Sequence, residues 1–110
     1  MGLFDIFKKK FETASPEAAR ALQENGAVLI DVRESHEYKN FHAPGAKLIS
    51  LGVLERRLKE IPSEREILVV CQSGMRSSQA AGVLSKNGYQ VKNVAGGMAA
   101  WQRAGLKVVR

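Results

Sequence analysis

The chain contains one cysteine, Cys71, and an arginine, Arg76, follows it five positions later. Cys71 ends the apolar run EILVVC (66–71), and four residues, Gln72 to Met75, separate it from the arginine. The thiolate is the reactive form of cysteine, and neighbouring cations and helix N-termini lower thiol pKa values to roughly 3.5–7.5. The spacing therefore predicts a nucleophilic cysteine in an anion-binding loop.

The residue types of this loop favour the same chemistry. Gly74 permits backbone conformations in which successive N–H groups point toward one atom, and a helix predicted to begin at Arg76 or Ser77 adds the positive end of its dipole. Ser73 and Ser77 are either further donors to sulfur or ordinary loop and helix-start residues. The alternative is that Cys71 is a small buried hydrophobe, as free cysteines often are. The strand–loop–helix context favours the reactive interpretation.

The elements that must position the loop alternate between strands and helices. Apolar runs predict strands within 27–34, 46–50, 66–71 and 89–94, with a possible last strand over 106–109. Helical patterns occupy 17–24, 53–61, 77–88 and 97–105, the first preceded by Ser15 as N-cap and Pro16 at the first helical position. This alternation predicts an α/β domain with a largely parallel central sheet flanked by helices on both faces. Ligands bind such sheets beyond the carboxyl ends of the strands.

Length and composition limit the remaining possibilities. A chain of 110 residues suits one domain, predicted over residues 11–110, with residues 1–10 as a short N-terminal arm. We favour an arm that packs on the domain or is disordered over the alternative, a weak membrane-surface helix. The net charge of +6 comes from scattered lysines and arginines, so we expect small anions and not nucleic acid as partners. No apolar run approaches the roughly 20 residues that span a bilayer. A single cysteine forms no internal disulfide, which favours a reducing cytoplasm.

Four segments in order carry a more specific signal. They are LIDVRESHEY (29–38), HAPGA (42–46), VVCQSGMRSSQAAGVLSKNGY (69–89) and VAGGMAAWQRAG (94–105). Together they resemble the Asp-x-Arg strand end, the His-x-Pro-Gly-Ala turn, the active-site segment and the Gly-Gly…Trp…Gly ending of rhodanese-like domains, the single-domain sulfurtransferases. The chain departs from that pattern at Phe41, where the family has glycine, and at LIS (48–50), where it has Asn-Ile-Pro. Both departures are expected to lie away from the loop.

The resemblance implies a mechanism and a site. Cys71 thiolate would take sulfur from a donor such as thiosulfate and pass it, as a persulfide, to cyanide or a thiol, without a metal or organic cofactor. A sulfur-accepting protein is an alternative acceptor. The loop expected to bind substrate consists of Gln72, Ser73, Gly74, Met75, Arg76 and Ser77. Asp31 and Arg33 are expected to support it from a neighbouring strand end.

Several alternatives remain open from the sequence. Arg76 either binds the anionic end of the donor or ties the loop to an acid such as Glu37, and we favour the second. His42 is expected to be structural. The domain could also be a persulfide carrier that serves a partner protein. A cysteine phosphatase or arsenate reductase is less favoured, because those loops place five residues between cysteine and arginine and often a histidine where this chain has Val70.

Overall fold

A computed structural model describes residues 11–110 as a five-stranded parallel sheet with helices on both faces. The elements in chain order are β1 (Glu12–Ala14), α1 (Pro16–Glu24), β2 (Val28–Asp31), α2 (Ser35–Asn40), β3 (Lys47–Leu48), a 3-10 segment (Leu51–Glu60), β4 (Ile67–Val70), α3 (Met75–Lys86), β5 (Val91–Val94) and α4 (Gly97–Arg103). The strand order is β1-β5-β4-β2-β3, and every neighbouring pair is parallel. The predicted fold class is confirmed. The predicted arm, residues 1–10, lies outside the described residues.

The two faces of the sheet carry separate apolar cores. Leu29 pairs with Leu68, and Ile30 with Val69, across β2 and β4. Because successive side chains of a strand point to opposite faces, Ile30 and Val69 pack under α3 and the 3-10 segment, whereas Leu29 and Leu68 pack under α1 and α4. Strands buried on both faces are expected to be apolar throughout, and all four residues of β4 are buried.

The helix signals in the sequence placed the start of α1 correctly and the start of α3 slightly too late. The Ser15 hydroxyl accepts a hydrogen bond from the N–H of Ala18 (3.1 Å), and Pro16 opens α1 as predicted. Helix α3 begins at Met75, one or two residues before the predicted start at Arg76 or Ser77. The reason is Gly74, whose φ of +110° turns the chain directly from the loop into the helix.

The amphipathic stretch 53–61 is not the α-helix that its pattern predicts. It belongs to the 3-10 segment, which is interrupted at Arg57 (φ −116°, ψ 17°). In a 3-10 helix residues three apart share a face, so Leu51 and Leu54 both contact the core beneath α3. The break at Arg57 then restores the alignment, because Leu58 lies four residues beyond Leu54 and also contacts this core.

Short elements account for the other differences. Strand β1 was not predicted, because only one of its three residues is buried and it exists through pairing with β5. Helix α2 has no buried residue and depends on a capping box formed by Glu34 and Glu37. The predicted last strand over 106–109 is wrong, since only an isolated antiparallel bridge joins Val109 to His42. Within residues 11–110 no helix is long and apolar enough to cross a membrane.

Candidate active site

The parallel register brings three polar side chains to one face at the carboxyl end of the sheet. Val69 of β4 lies opposite Asn93 of β5. Cys71 follows Val69 by two residues and therefore faces the same side, where both contact the core beneath α3. Ser77, in the first turn of α3, is buried directly over this face. The strand pairing and the start of α3 thus place Cys71, Ser77 and Asn93 next to one another.

The Cys71 sulfur is surrounded by hydrogen-bond donors. The N–H of Gly74 points at Sγ with a nitrogen–sulfur distance of 3.0 Å, and Ser77 Oγ lies 3.3 Å from Sγ. Burial acts to raise the pKa of the Cys71 thiol, but the Ser77 hydroxyl and the N–H groups of Ser77, Gly74 and Ser73 outweigh it, so the pKa falls below its ordinary value. Only 1% of the Cys71 surface is exposed. The arrangement favours a thiolate that the protein covers almost completely.

Helix α4 holds the beginning of the loop from the other side. The N–H of Met98 donates to the Cys71 carbonyl (2.7 Å), and the N–H of Ala99 donates to the Gln72 carbonyl (3.1 Å). Gly97 makes this approach possible: its φ is +62°, and a Cβ there would lie 2.4 Å from the Cys71 carbonyl oxygen. Because these carbonyls point toward α4, the following N–H groups are free to face the sulfur.

Asp31 and Arg33 form a buried ion pair at the end of β2, beside the loop. Arg33 is 1% exposed and Asp31 is fully buried, with Nη2 and Oδ2 2.8 Å apart. The remaining donors of Arg33 reach the Gln72 side chain (3.2 Å) and the Phe41 carbonyl (2.7 Å). The two residues were expected to support the loop. The hydrogen bond from Arg33 to Gln72 is the contact that joins this ion pair to the loop.

Both departures from the family pattern contact this same arginine, although we expected them to lie away from the loop. The Arg33 guanidinium lies 5.3 Å from the centroid of the Phe41 ring, and the Ser50 hydroxyl donates to the Arg33 carbonyl (2.6 Å). Positions 41 and 50 are distant in sequence from residues 71–76, and both converge on Arg33, which contacts the loop through Gln72. They are therefore one residue removed from the loop.

Arg76 pairs with Glu37 at the outer end of the loop. Nη1 and Nη2 donate to the two carboxylate oxygens at 2.7 and 2.9 Å, a bidentate arrangement. The hydrogen bond from Arg76 is the main cause that lowers the pKa of Glu37 from 4.5 to about 2. The same contact raises the pKa of Arg76. The contact with Glu37 that we favoured is present, and it joins the end of the loop to α2.

The other residues that the sequence analysis considered, Ser73, Met75 and His42, have different environments. Ser73 is exposed on the loop, and it acts on the sulfur through its backbone N–H. Met75 is 79% exposed at the start of α3. His42 stacks on the Tyr38 ring and hydrogen-bonds the Tyr38 carbonyl through Nδ1 (2.8 Å), in keeping with a structural role.

The sequence analysis missed Asn93. It is 8% exposed, lies within hydrogen-bond distance of Ser77 and Gly74, and is the polar member of an otherwise apolar strand face. The segment YQVKNV (89–94) does contain a signal, because an asparagine where a buried strand residue is expected requires a polar partner. That partner could not be identified without the register of β5 against β4.

Known proteins share both the sequence pattern and the fold. The family model of the rhodanese-like domain matches residues 15–104. Thiosulfate sulfurtransferase GlpE of Actinobacillus pleuropneumoniae is 35% identical over 100 residues, which are 89% of this chain and 93% of GlpE. The putative sulfur carrier protein YrkF of Bacillus subtilis is 43% identical over 74 residues, 66% of this chain, and the matched part spans only 40% of YrkF.

The solved structures agree on the fold. A rhodanese-related protein from Thermoplasma volcanium superimposes with a TM-score of 0.85 at 24% identity, covering 90% of this chain and 98% of that protein. This likeness concerns the fold alone, whereas the family match and the similarity to GlpE extend through the Cys71 loop. The chain belongs to the rhodanese-like domain family.

Proposed function

We propose that this protein is a sulfurtransferase that moves sulfane sulfur from a small anionic donor such as thiosulfate to a thiophilic acceptor. Cys71 thiolate attacks the outer sulfur of thiosulfate, a new sulfur–sulfur bond forms, and the old one breaks with its electron pair leaving on sulfite. The cysteine persulfide then gives its outer sulfur to cyanide or to a thiol. Charge balances in the first step, since thiolate and thiosulfate become persulfide anion and sulfite dianion.

The observation that carries the proposal is the ring of donors around one sulfur atom. Gly74 N–H and Ser77 Oγ lie 3.0 and 3.3 Å from Cys71 Sγ, and the carbonyls of Cys71 and Gln72 are held away by α4. The backbone N–H donors are fixed before the reaction and stabilise anionic sulfur without reorganising. The names of GlpE and YrkF, a thiosulfate sulfurtransferase and a putative sulfur carrier protein, concern the same sulfur chemistry.

The geometry disfavours phosphoryl chemistry. A phosphatase loop needs its arginine to converge with the backbone N–H groups on a tetrahedral anion, and here four residues separate Cys71 from Arg76. Both guanidinium nitrogens at the end of Arg76 are engaged by Glu37. The loop therefore has N–H groups for a sulfur anion and no free arginine for phosphate oxygens.

A persulfide carrier is the second candidate function, and one observation favours it. Cys71 is almost completely covered, while the neighbouring Met75 is 79% exposed and offers an apolar contact for a partner protein. In that case the first half-reaction would be unchanged, and sulfur would leave only when the partner docks.

Intact-mass spectrometry after incubation with thiosulfate tests the first half-reaction. We expect the mass to increase by one sulfur atom and the addition to be removed by cyanide or dithiothreitol. Cys71→Ser is the control and should fold but gain no sulfur. A wild-type protein that stays unmodified while hydrolysing an aryl phosphate would contradict the proposal. Repeated turnover of thiosulfate and cyanide distinguishes an independent enzyme from a carrier, which would stop after one equivalent.

A further inference from the structure

Ser77 lies between two acceptors but has only one hydroxyl hydrogen. Its Oγ is 3.3 Å from Cys71 Sγ and 2.6 Å from Asn93 Oδ1. Ser77 is fully buried and Asn93 is 8% exposed, so bulk water is kept from this side of the sulfur. A hydroxyl donates one hydrogen bond at a time. Cys71 and Asn93 therefore compete for the same hydrogen.

The orientation of the Asn93 amide follows from its second contact. Asn93 Nδ2 lies 3.3 Å from the Gly74 carbonyl oxygen, which can only accept. The NH₂ group must point to that carbonyl, and the Oδ1 atom then faces Ser77. One side chain thus holds both the hydroxyl of Ser77 and the backbone of Gly74, whose own N–H points at the sulfur.

We propose that Asn93 is a positioning residue that competes with Cys71 for the Ser77 hydrogen and so makes the Ser77 hydrogen bond to sulfur depend on the charge of that sulfur. With a neutral thiol, the Ser77 hydroxyl donates to Asn93 and its lone pair accepts from the S–H group. With a thiolate, the hydroxyl rotates to Sγ and leaves Oδ1. The short Ser77–Asn93 contact favours the first state.

The consequence for turnover rests on the proposed function. When the thiolate attacks the donor, the negative charge moves from Sγ to the outer sulfur of the persulfide, and Sγ becomes a weak acceptor. The Ser77 hydrogen is then drawn back to Asn93. Asn93 would in this way favour the states in which Sγ carries no charge, at the start of the cycle and after sulfur has been taken up.

Other charges near the sulfur must stay constant in any test. Arg76, which is paired with Glu37, lies on the loop side, and the buried pair of Arg33 and Asp31 lies at the end of β2. The variants needed for Asn93 and Ser77 are neutral, so they leave all four groups unchanged.

The test is the pH profile of Cys71 alkylation by iodoacetamide in four proteins: wild type, Asn93→Leu, Ser77→Ala and the double variant. Asn93→Leu keeps the branched outline of the side chain, with methyl groups in place of the amide oxygen and nitrogen, and it leaves Ser77 free to donate to sulfur. We expect it to alkylate about three- to tenfold faster than wild type at a pH where less than half of the thiol is ionised. The midpoint of its profile should move to lower pH. Ser77→Ala should move the midpoint to higher pH.

The double variant separates the route through Ser77 from the loss of the Gly74 contact, which occurs in both backgrounds. In the Ser77→Ala background, Asn93→Leu should give no acceleration. An equal acceleration in both backgrounds, or slower alkylation of Asn93→Leu in the wild-type background, would overturn the proposal. If Asn93→Leu fails to fold by circular dichroism, Asn93→Val suits the strand and replaces it. Alkylation needs no sulfur donor, so its outcome is independent of whether thiosulfate adds sulfur to Cys71.

Discussion

The two ends of the Cys71 loop are held in opposite ways. At the beginning, Cys71 and Gln72 are fixed by the N–H groups of α4 and by Arg33, which is 1% exposed. At the other end, Arg76 is held by one ion pair with Glu37, and the two side chains are 36% and 22% exposed. The first anchorage belongs to the protein core, whereas the second lies at the surface.

From this difference we predict which contacts stabilise the fold and which contribute to the site alone. Removing one partner of a buried ion pair leaves an uncompensated charge and is strongly destabilising. A partly exposed pair contributes little to the free energy of unfolding, because water solvates both groups when it opens. The two ends should therefore respond differently to substitution, the first by unfolding and the second by losing chemistry.

The largest effect is expected for Arg33→Met. The substitution leaves the Asp31 carboxylate buried without its positive partner and removes the contact with Gln72. The free energy of unfolding should therefore fall by about 3–5 kcal/mol. Urea denaturation followed by circular dichroism measures the loss. The matched control is the double variant Asp31→Asn/Arg33→Met, which removes both charges and should recover more than half of the stability. A double variant as unstable as the single one would mean that packing of Arg33, and not charge, stabilises this end.

Gly97→Ala should be the next most damaging change. Alanine at a φ of +62° is strained, and its Cβ would meet the Cys71 carbonyl oxygen at 2.4 Å, so we expect a loss of about 2–4 kcal/mol. Gly82, inside α3, provides the control because a Cβ there meets no atom within 4 Å. Gly82→Ala should stabilise the protein by about 0.5–1 kcal/mol. Thermal unfolding of both variants tests the pair, and equal effects would argue against close packing at Gly97.

At the outer end, Arg76→Met should cost less than about 1 kcal/mol of stability. It should nevertheless slow persulfide formation roughly tenfold or more, because the loop loses its alignment. The variant Glu37→Gln distinguishes between the two possible roles of Arg76. If Arg76 braces the loop, Glu37→Gln slows the reaction as well. If Arg76 binds the donor, Glu37→Gln releases the guanidinium and the rate of persulfide formation holds or rises. Stopped-flow or quenched mass spectrometry with thiosulfate gives both rates.

The smallest effect is a pH dependence of stability. The pKa of Glu37 is lowered from 4.5 to about 2, so its pairing stabilises the folded state fully above about pH 4.5. The contribution is lost as the pH falls from 4.5 toward 2, when the carboxylate becomes protonated in the folded state too. The difference in unfolding free energy between wild type and Arg76→Met should therefore shrink over this range. Urea denaturation at several pH values measures it, and a difference that stays constant would exclude the ion pair as its source.

Local patterns were sufficient for much of the architecture. Apolar runs located β2 and β4, and Ser15 with Pro16 located the start of α1, because burial of a strand and capping of a helix depend on neighbouring residues. The same patterns failed for β1, which exists only by pairing with β5, and for 51–60, where the core selects 3-10 geometry. Helix α2 escaped detection because no residue in it is buried.

Residue types and spacing are enough to predict the type of site: one cysteine at a strand end, a glycine that permits the loop to turn into α3, and an arginine separated from the cysteine by four residues. These are properties of spacing and residue type, which the chain carries along its length. The contacts that these residues make depend on the tertiary structure. Asn93 reaches Ser77 only through the β4–β5 register, Arg76 meets Glu37 across 39 positions, and Gly97 allows α4 to approach the Cys71 carbonyl. Contacts between residues distant in sequence depend on how the strands align and the helices pack, and no local pattern encodes that alignment.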